Sequence, residues 1–388
     1  MKNLELYIHI PFCVRKCRYC DFLSFDNHEE METPYIEALL KQLEFYGDLY
    51  SDRLISSIYI GGGTPSSISP ESITRICETI YKKFVVDIDA EVTMEVNPGT
   101  ITEAKAKAYK LAGINRLSVG LQSANDDELL ILGRIHTWDE FLRSYEKILK
   151  AGFTNTNIDI MTALPFQTEE KLQNTLKKVL MFRPNHISAY SLILEEGTPL
   201  FDEHWQDLAK RRHGRPTSAL PDEETEYALG ELTKSTLEKA GYVQYEISNY
   251  AKPGFECKHN IGYWKRTEYI GVGLGAASLV NSTRFNVTRD MIEYIDKVEK
   301  EDFNGLLTDV QVLSKKEQMS EFMFLGLRML EGVSVFDFQQ EFGTTIDKTF
   351  AYEINKLKKQ GLIENDKGFY KLTKRGLDVA NIAMSEFV

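Results

Sequence analysis

Cysteine is scarce in this chain, which has five among 388 residues. A small, odd number of cysteines argues against a disulfide framework and is typical of a protein from a reducing compartment. Cys77 and Cys257 stand far apart, whereas the other three fall together near the amino terminus, at Cys13, Cys17 and Cys20. This concentration favours metal binding over structural cross-linking.

Positive charge is also in deficit, because 46 Lys and Arg face 58 Asp and Glu, for a formal net charge of −12. A general nucleic-acid binder carries a basic excess, so the composition argues against nucleic acid as a partner. No apolar run is as long as a membrane span, and residues 1–5 lead directly into a predicted strand without a signal peptide. We therefore expect a soluble, cytoplasmic protein with one large domain and a smaller one.

The three clustered cysteines have the spacing C-x3-C-x2-C, directly after an apolar run that predicts a strand. A loop at the end of a strand can turn three thiolates toward one point, and soft sulfur ligands favour iron–sulfur clusters or zinc. A closed zinc site needs a fourth ligand, but His9 lies on the strand and His28 lies beyond the loop. The pattern favours a four-iron cluster with one iron left open.

Six units of a short strand followed by a helix are predicted in about the first 200 residues, which indicates a parallel sheet with right-handed crossovers. In barrels of this kind the active site lies at the carboxyl ends of the strands. The polar or glycine residues at these predicted ends are Cys13 to Cys20, Gly62, Gly63, Thr64, Glu95, Gln122 and Asp159. Glycines at a strand end allow a ligand close to the backbone, although a glycine run alone indicates only a flexible turn.

The rest of the chain is less regular. We expect residues 1–200 to form the barrel, 201–313 a linker region, and 314–388 a separate module of helices and one hairpin that resembles a winged helix. That module has eleven Lys and Arg against eleven Asp and Glu, which favours a structural or lid role over DNA reading. Residues 209–216 are predicted to be a basic loop, either a solvated surface or a lid attracting carboxylates.

The cysteine spacing resembles the signature of the radical S-adenosylmethionine (SAM) superfamily. Further motifs are similar to the branch containing the oxygen-independent coproporphyrinogen III dehydrogenase, namely residues 7–13, 61–65, 95–98, 120–123, 245–249 and 259–264, with Asp159. This resemblance covers essentially the whole chain. It implies an α/β fold with a partial (β/α)6 barrel of the radical SAM type and a C-terminal winged-helix-like α+β module.

The resemblance also implies a 4Fe–4S cluster on Cys13, Cys17 and Cys20, with SAM bound at its open iron. The residues it places around SAM are Tyr7, Gly62, Gly63, Thr64, Glu95, Gln122, Arg134 and Asp159, with Tyr19 and Ile193 as further members of that shell. A carboxylate inside an apolar strand, such as Glu95, needs a partner, and the bound SAM would supply it.

Position 22 separates two kinds of protein within this branch. The dehydrogenase carries a fourth cysteine two residues after the third and an N-terminal extension, whereas this chain has Phe22 and its motif begins at Cys13. Both differences fit the heme-chaperone members, which bind heme and pass it to apo-hemoproteins. We therefore expect heme as a ligand, apo-hemoproteins as partners, membrane-associated ones among them, and no catalytic residue. The resemblance also implies that residues 201–313 contain the family-specific substrate or heme region.

His259 is the expected axial ligand of the heme iron, because an imidazole can ligate heme and Tyr263 and Trp264 follow it with aromatic surface. A histidine satisfied within the core is the ordinary alternative, and Cys257 is a competing ligand. Three other functions stay open: oxidative decarboxylation of coproporphyrinogen III through a 5′-deoxyadenosyl radical, another radical SAM modification of a tetrapyrrole, and an iron–sulfur protein without SAM turnover.

Overall fold

The computed structural model describes residues 1–26 and 28–388. Its first half alternates strands and helices as the sequence predicts. The strands are β1 (Lys2–Ile10), β2 (Arg53–Gly62), β3 (Val85–Val96), β4 (Arg116–Gln122), β5 (Asn155–Thr162) and β6 (His186–Ser191). The helices are α1 (Glu32–Leu49), α2 (Pro70–Lys83), α3 (Glu103–Leu111), α4 (Asp126–Ile131), α5 (Trp138–Lys150) and α6 (Glu169–Met181).

Strands β1 to β6 pair in chain order, and every pair is parallel. Side chains alternate across a strand, so Leu4, Leu6 and Ile8 of β1 enter the hydrophobic core shared with the helices. The residues between them, such as Glu5 and Tyr7, point to the opposite face, which is the polar interior of an open, partial barrel. The predicted α/β fold is confirmed.

The following segment continues the same sheet. Its elements are α7 (Pro199–Arg212), α8 (Glu223–Lys239), β7 (Val243–Glu246), β8 (Asn249–Ala251), α9 (Lys258–Trp264), β9 (Tyr269–Val272), β10 (Ala277–Val280), β11 (Thr283–Val287), α10 (Met291–Glu299) and β12 (Leu307–Val312). In the described part of the chain, twelve strands form one sheet in the order β12-β11-β10-β9-β1-β2-β3-β4-β5-β6-β8-β7. Residues 201–313 therefore share one hydrophobic core with the barrel, as Leu229, Tyr250 and Tyr294 illustrate.

The prediction of a basic loop over residues 209–216 is wrong for its first half, because α7 extends to Arg212. Lys210, Arg211 and Arg212 form the last helical turn, where positive side chains interact favourably with the helix dipole. Charge that suggested a loop in the sequence therefore stabilises the end of a helix.

The C-terminal region has its own core and its own three-stranded sheet, in the order β13-β15-β14. Its elements are α11 (Lys315–Gly326), β13 (Val333–Ser334), α12 (Val335–Phe342), α13 (Ile346–Thr349), α14 (Ala351–Gln360), β14 (Ile363–Asp366), β15 (Phe369–Leu372), α15 (Lys374–Asp378) and α16 (Ala380–Ser385). The hairpin turn places Lys367 and Gly368 at positive φ, 50° and 88°, as a two-residue hairpin turn requires. The order of helices, short strand and hairpin matches the predicted winged-helix-like module.

Ion pairs join this region to the barrel. Arg266, just after α9, contacts Glu321 at 2.9 Å and Glu341 at 3.3 Å. Arg328 places its guanidinium 4.2 Å from the centre of the Trp264 ring. Within the described residues, no helix combines the length and the apolar character needed to span a membrane.

Candidate functional site

The cysteine loop leaves β1 and is closed at its base by two backbone hydrogen bonds, from Phe25 N to Pro11 O (2.7 Å) and from Cys13 N to Phe25 O (2.9 Å). Cys13, Cys17 and Cys20 are free, half-buried thiols. All three line one cavity of about 120 Å³ at the carboxyl ends of the strands. Burial raises the pKa of Cys13, and it raises the pKa of Cys20 to about 11, so both thiols are protonated until a metal replaces the proton.

A chain of hydrogen bonds connects two of these thiols through three other side chains. Thr64 Oγ1 lies 3.4 Å from Cys13 Sγ and accepts a hydrogen bond from Asn97 Nδ2 at 2.9 Å. Arg134 Nη2 donates to Asn97 Oδ1 at 2.8 Å, and its Nη1 donates to Cys17 Sγ at 3.4 Å. Because Thr64 Oγ1 accepts from the amide, its own hydrogen is free to point at Cys13. Both sulfurs thus face hydrogen-bond donors.

The glycine run holds the cysteine loop close to β2. A Cβ on Gly63 would lie 2.7 Å from Phe12 O and 3.0 Å from Cys13 Sγ, so a side chain there would push the loop outward. Gly62 has φ of +116°, and its Cβ would lie 2.7 Å from the His9 ring. These glycines are required for the close packing of β1 and the cysteine loop against the end of β2.

Two carboxyl groups face the same cavity. Glu95 accepts hydrogen bonds from Tyr59 Oη at 2.9 Å and from Gly62 N at 3.2 Å. Burial and the neighbouring Asp159 raise the pKa of Glu95 to about 7. Asp159 accepts from Asn157 Nδ2 at 2.7 Å, and burial raises its pKa as well. This pair can accept hydrogen bonds from a cationic amine or from hydroxyl groups.

Strand β4 ends in an irregularity between Gly120 and Gln122, and Gln122 adopts a φ of +73°. Its side-chain oxygen accepts a hydrogen bond from Tyr190 Oη at 3.1 Å. Arg134 Nη2 also donates to Gly120 O at 2.6 Å. These hydrogen bonds fix the side chains of Gln122, Tyr190 and Arg134 around the small cavity.

The donors present fit an iron–sulfur cluster and SAM. Among the residues that the structure describes, no three His, Cys, Asp or Glu side chains are grouped as a site for a single metal ion. A 4Fe–4S cluster takes its thiolates on different irons, so three thiols around one cavity are suitable donors. Backbone at the glycines, the Glu95 and Asp159 carboxyls and the Gln122 amide supply the polar contacts that an amino acid and a ribose need.

The structure brings together most of the predicted site residues. Those lining the small cavity are Cys13, Cys17, Tyr19, Cys20, Gly62, Gly63, Thr64, Glu95, Gln122, Arg134 and Asp159. Tyr7 lies just beyond it and contacts His9 Nδ1 at 3.0 Å. Ile193 is separate, because it is 68% exposed and lines another cavity beside α8.

Sequence reasoning missed four residues of this site, namely Tyr59, Asn97, Ser118 and Tyr190. Asn97 carried a usable signal, because it follows Glu95 by two residues at the end of the same strand. Tyr59 and Ser118 lie within strands and face the barrel interior, where only the register of the sheet shows their position.

A second cavity of about 670 Å³, which we call the mouth cavity, adjoins the first. The two share Phe22, Gly62 and Glu95 in their walls. The other walls come from Tyr7 and His9 of β1, the end of α9, the strands β9 to β11 and α11. The volume falls in the range of about 300–1,000 Å³ that small-molecule sites occupy.

His259 is buried behind the wall of the mouth cavity. Its ring is 1% exposed, stacks on Tyr59 with 5.2 Å between ring centres, and meets Tyr263 edge-on at 4.8 Å. Nδ1 lies 2.8 Å from Ser57 Oγ, whereas Nε2 has no hydrogen-bond partner in residues 1–26 and 28–388. Burial and the Arg116 charge lower the pKa of His259 to about 3, so the imidazole is neutral.

Helix α9 fills the amino-terminal half of the barrel interior. The Glu91 carboxylate accepts hydrogen bonds from Cys257 Sγ at 3.3 Å and from Lys258 N at 3.1 Å. Gly262 lies against Glu5, whose pKa is raised to about 8 by burial, and a Cβ on Gly262 would lie only 1.9 Å from Glu5 Oε1. Cys257, the competing heme ligand, is therefore fully buried, and its thiol donates a hydrogen bond to Glu91.

Comparison with sequence families gives two matches. Residues 7–179 match the radical SAM superfamily, and residues 313–379 match the HemN C-terminal domain. The chain is similar to a solved structure titled coproporphyrinogen III oxidase (HemN) from Escherichia coli, a radical SAM enzyme, with a TM-score of 0.83 and 22% identity, covering 100% of this chain and 90% of that one. At that identity the likeness establishes the fold alone.

The chain is more similar in sequence to proteins named heme chaperone HemW than to the HemN structure. The heme chaperone HemW of Lactococcus lactis subsp. lactis is 34% identical over 387 residues, covering 100% of this chain and 98% of that protein. HemW of Bacillus subtilis is 34% identical over 383 residues, covering 98% of each chain. HemW of Escherichia coli is 38% identical over 274 residues, covering 70% of this chain and 69% of that protein.

Proposed function

The chain belongs to the HemW family of heme chaperones within the radical SAM superfamily, and we propose that it binds heme and transfers it to apo-hemoproteins. The observation that carries this proposal is a cavity of about 670 Å³ beside the cysteine loop, lined by aromatic, aliphatic and arginine side chains. Phe22 stands between the two cavities, and its phenyl ring can neither ligate a metal nor donate a hydrogen bond.

We assign the cluster to the three loop cysteines, with Thr64 and Arg134 directing hydrogen-bond donors at Cys13 and Cys17. When bound, the cluster and SAM supply one-electron chemistry at this edge of the sheet. Hydrogen bonds to the sulfurs of such a cluster tune its reduction potential. The protein's contribution here is to hold two of the sulfurs in a donor-rich, half-buried loop.

We assign SAM to the small cavity. Tyr59 and the Gly62 amide hold the Glu95 carboxyl in place, so that it can accept from the SAM amino group. Asp159 and Gln122 lie on the neighbouring strands and can accept from hydroxyl groups. The remaining members of the proposed shell are Tyr7, Tyr19, Gly63, Thr64 and Arg134, with Ile193 as the most distant.

His259 remains the proposed heme ligand, provided that Tyr263 can move. Its neutral ring and unpartnered Nε2 suit an iron ligand, but the Tyr263 ring separates it from the mouth cavity. Ligation therefore requires Tyr263 to turn aside. We also propose that the protein is cytoplasmic and that some of its apo-hemoprotein acceptors are membrane-associated. The proposed domain boundaries lie after residues 200 and 313.

A heme titration of the purified, cluster-loaded protein tests the function beside an anaerobic assay with coproporphyrinogen III. We expect near-stoichiometric heme binding, transfer to an apo-hemoprotein and no decarboxylated product. His259→Ala should weaken binding, whereas His213→Ala, at an exposed histidine after α7, should not. Robust turnover of coproporphyrinogen III by the wild type would refute the chaperone function in favour of the dehydrogenase.

A further inference from the structure

One part of the mouth cavity is bordered by aromatic and aliphatic side chains. Tyr263 and Trp264 at the end of α9, Leu279 of β10 and Leu325 of α11 all border it. The Arg328 guanidinium packs over the Trp264 ring at 4.2 Å and so fixes the plane of the indole. A rigid aromatic surface of this kind binds a planar, apolar molecule at a low cost in conformational entropy.

The cations of this cavity are not equivalent. Arg266 pairs with Glu321 at 2.9 Å and with Glu341 at 3.3 Å, and Arg284 pairs with Glu321 at 3.0 Å, so two carboxylates compensate these two charges. Arg289 also lines the cavity and is exposed, and in the described part of the chain it makes neither an ion pair nor a side-chain hydrogen bond. In a protein with a net charge of −12, this guanidinium is a local positive site that faces a cavity.

Arg289 is held on the side of the cavity formed by the cysteine loop. Its Cγ lies 3.7 Å from the position that a Cβ on Gly275 would occupy, and Leu23 packs at the same glycine. Burial lowers the pKa of His9, and the Arg289 charge adds to this effect, which shows that the two side chains are neighbours. Arg289 therefore borders the mouth cavity beside the cysteine loop, whereas Trp264 borders it from the end of α9.

We propose that the mouth cavity is the heme site, with the macrocycle on the wall formed by Trp264, Leu279 and Leu325, the Tyr263 ring turned aside as ligation by His259 requires, and a propionate on Arg289. This site proposal rests on the proposed function. Heme fits the cavity because it combines a flat apolar body with carboxylates at one edge. Guanidinium and carboxylate form a charge-assisted pair that an ester cannot form. The second propionate extends to solvent, because the other two arginines are already paired.

The test compares two ligands and two variants on the cluster-loaded, full-length protein. Heme and heme dimethyl ester are titrated, in the same detergent, into the wild type, Arg289→Ala and Arg143→Ala; Arg143 is an exposed arginine on α5. We expect heme to bind the wild type about tenfold more tightly than the ester, which corresponds to ~1.4 kcal/mol. Arg289→Ala should lose that preference while its affinity for the ester is unchanged, and Arg143→Ala should behave as the wild type.

The outcomes separate this site from the function. If the wild type binds heme but Arg289→Ala keeps the full preference for heme over the ester, the site proposal is overturned and the chaperone function stands. If the wild type binds no heme, both are overturned. A further variant, Ala277→Phe, places a ring in the cavity wall, and undiminished heme binding by that folded variant would also overturn the site.

Discussion

Arg134 donates a hydrogen bond to the sulfur of Cys17, at 3.4 Å, from a position where it is almost fully buried. Its other terminal nitrogen donates to Gly120 O and to Asn97 Oδ1, so the guanidinium cannot turn away from the cysteine loop. A fixed positive charge next to a thiolate stabilises the negative form. The same contact orders the loop against β4.

Asn97→Ala should change the electronic environment of the cluster without preventing its assembly. The amide is the link between Thr64 and Arg134, and its loss frees both donors from their orientation toward the sulfurs. We expect the midpoint potential of the reconstituted cluster to fall by tens of millivolts in a redox titration followed by electron paramagnetic resonance. Asn174→Ala, at a half-buried asparagine on α6, is the control, and an identical potential in both variants would contradict the assignment.

Replacing any one of Cys13, Cys17 and Cys20 by Ala should abolish the absorbance of the cluster after anaerobic reconstitution. Each thiol lines the same small cavity, and three thiolates on four irons leave one iron open, so no thiol is spare. Cys77→Ala is the matched control, because that thiol is buried on α2 among isoleucines. Retention of full iron and sulfide by a variant lacking all three loop cysteines would show that the cluster lies elsewhere.

Glu95→Gln should weaken SAM binding and reduce its dependence on pH. The pKa of Glu95 is about 7, so in the wild type the carboxylate form, which attracts the amino group, is lost as the pH falls from 8 to 6. Wild-type affinity should therefore rise with pH over that interval. At pH 8 we expect the variant to bind about tenfold or more weakly, since a charged hydrogen bond contributes about 1.5–3 kcal/mol.

Calorimetric titration of SAM at pH 6, 7 and 8 measures this effect, with Glu103→Gln on the exposed face of α3 as control. Asp159 has a raised pKa in the same cavity, so a residual pH dependence in Glu95→Gln should disappear in the variant that also carries Asp159→Asn. Equal affinities of wild type and Glu95→Gln at pH 8 would remove Glu95 from the site.

Gly262→Ala should destabilise the protein, although alanine is the better helix former. Its Cβ would overlap the buried Glu5 carboxyl, and overpacking of a filled interior costs about 1–3 kcal/mol. Gly230→Ala is the matched control, because Gly230 lies in α8 with open space around it and should be stabilised by about 0.5–1 kcal/mol. Thermal unfolding of the two variants should therefore shift in opposite directions.

A second variant locates the cause of this loss. Glu5→Ala removes the carboxyl that the new methyl group would meet, so the combination Glu5→Ala with Gly262→Ala should cost less than the sum of the two single changes. Strict additivity of the two free energies of unfolding would mean that Gly262 is needed for another reason.

The sequence was sufficient to predict the residues at the ends of the strands. Cys13, Gly62, Glu95 and Asp159 are far apart in the chain, but the carboxyl ends of parallel strands meet at one edge, so a correct count of strands brings them together. The start of α2 follows an equally local pattern, because Ser69 stands directly before Pro70 and its Oγ accepts a hydrogen bond from Ser72 N. These features could be predicted because each depends on a short stretch of sequence.

The polar interior and the mouth cavity could not be predicted in the same way. Glu5, Glu91 and His259 are neighbours only because α9 enters the barrel, which no local periodicity indicates. Arg266, Arg284 and Arg289 are isolated in the sequence, whereas the run of basic residues at 210–212 drew attention and proved to be the end of a helix. Charged residues that only the tertiary structure brings together cannot be recognised from a local sequence pattern.

The position of α9 also decides how cargo can leave. Its residues close the amino-terminal half of the barrel, where Glu5, Ser57 and His259 are almost inaccessible to solvent. Among the described residues, the amino-terminal end of the barrel interior is closed, and the mouth cavity lies beside the cysteine loop at the other end. If heme occupies the mouth cavity as proposed, an acceptor must bind over that cavity to collect it, so loading and unloading exclude each other, and we expect excess free heme to slow delivery to the acceptor.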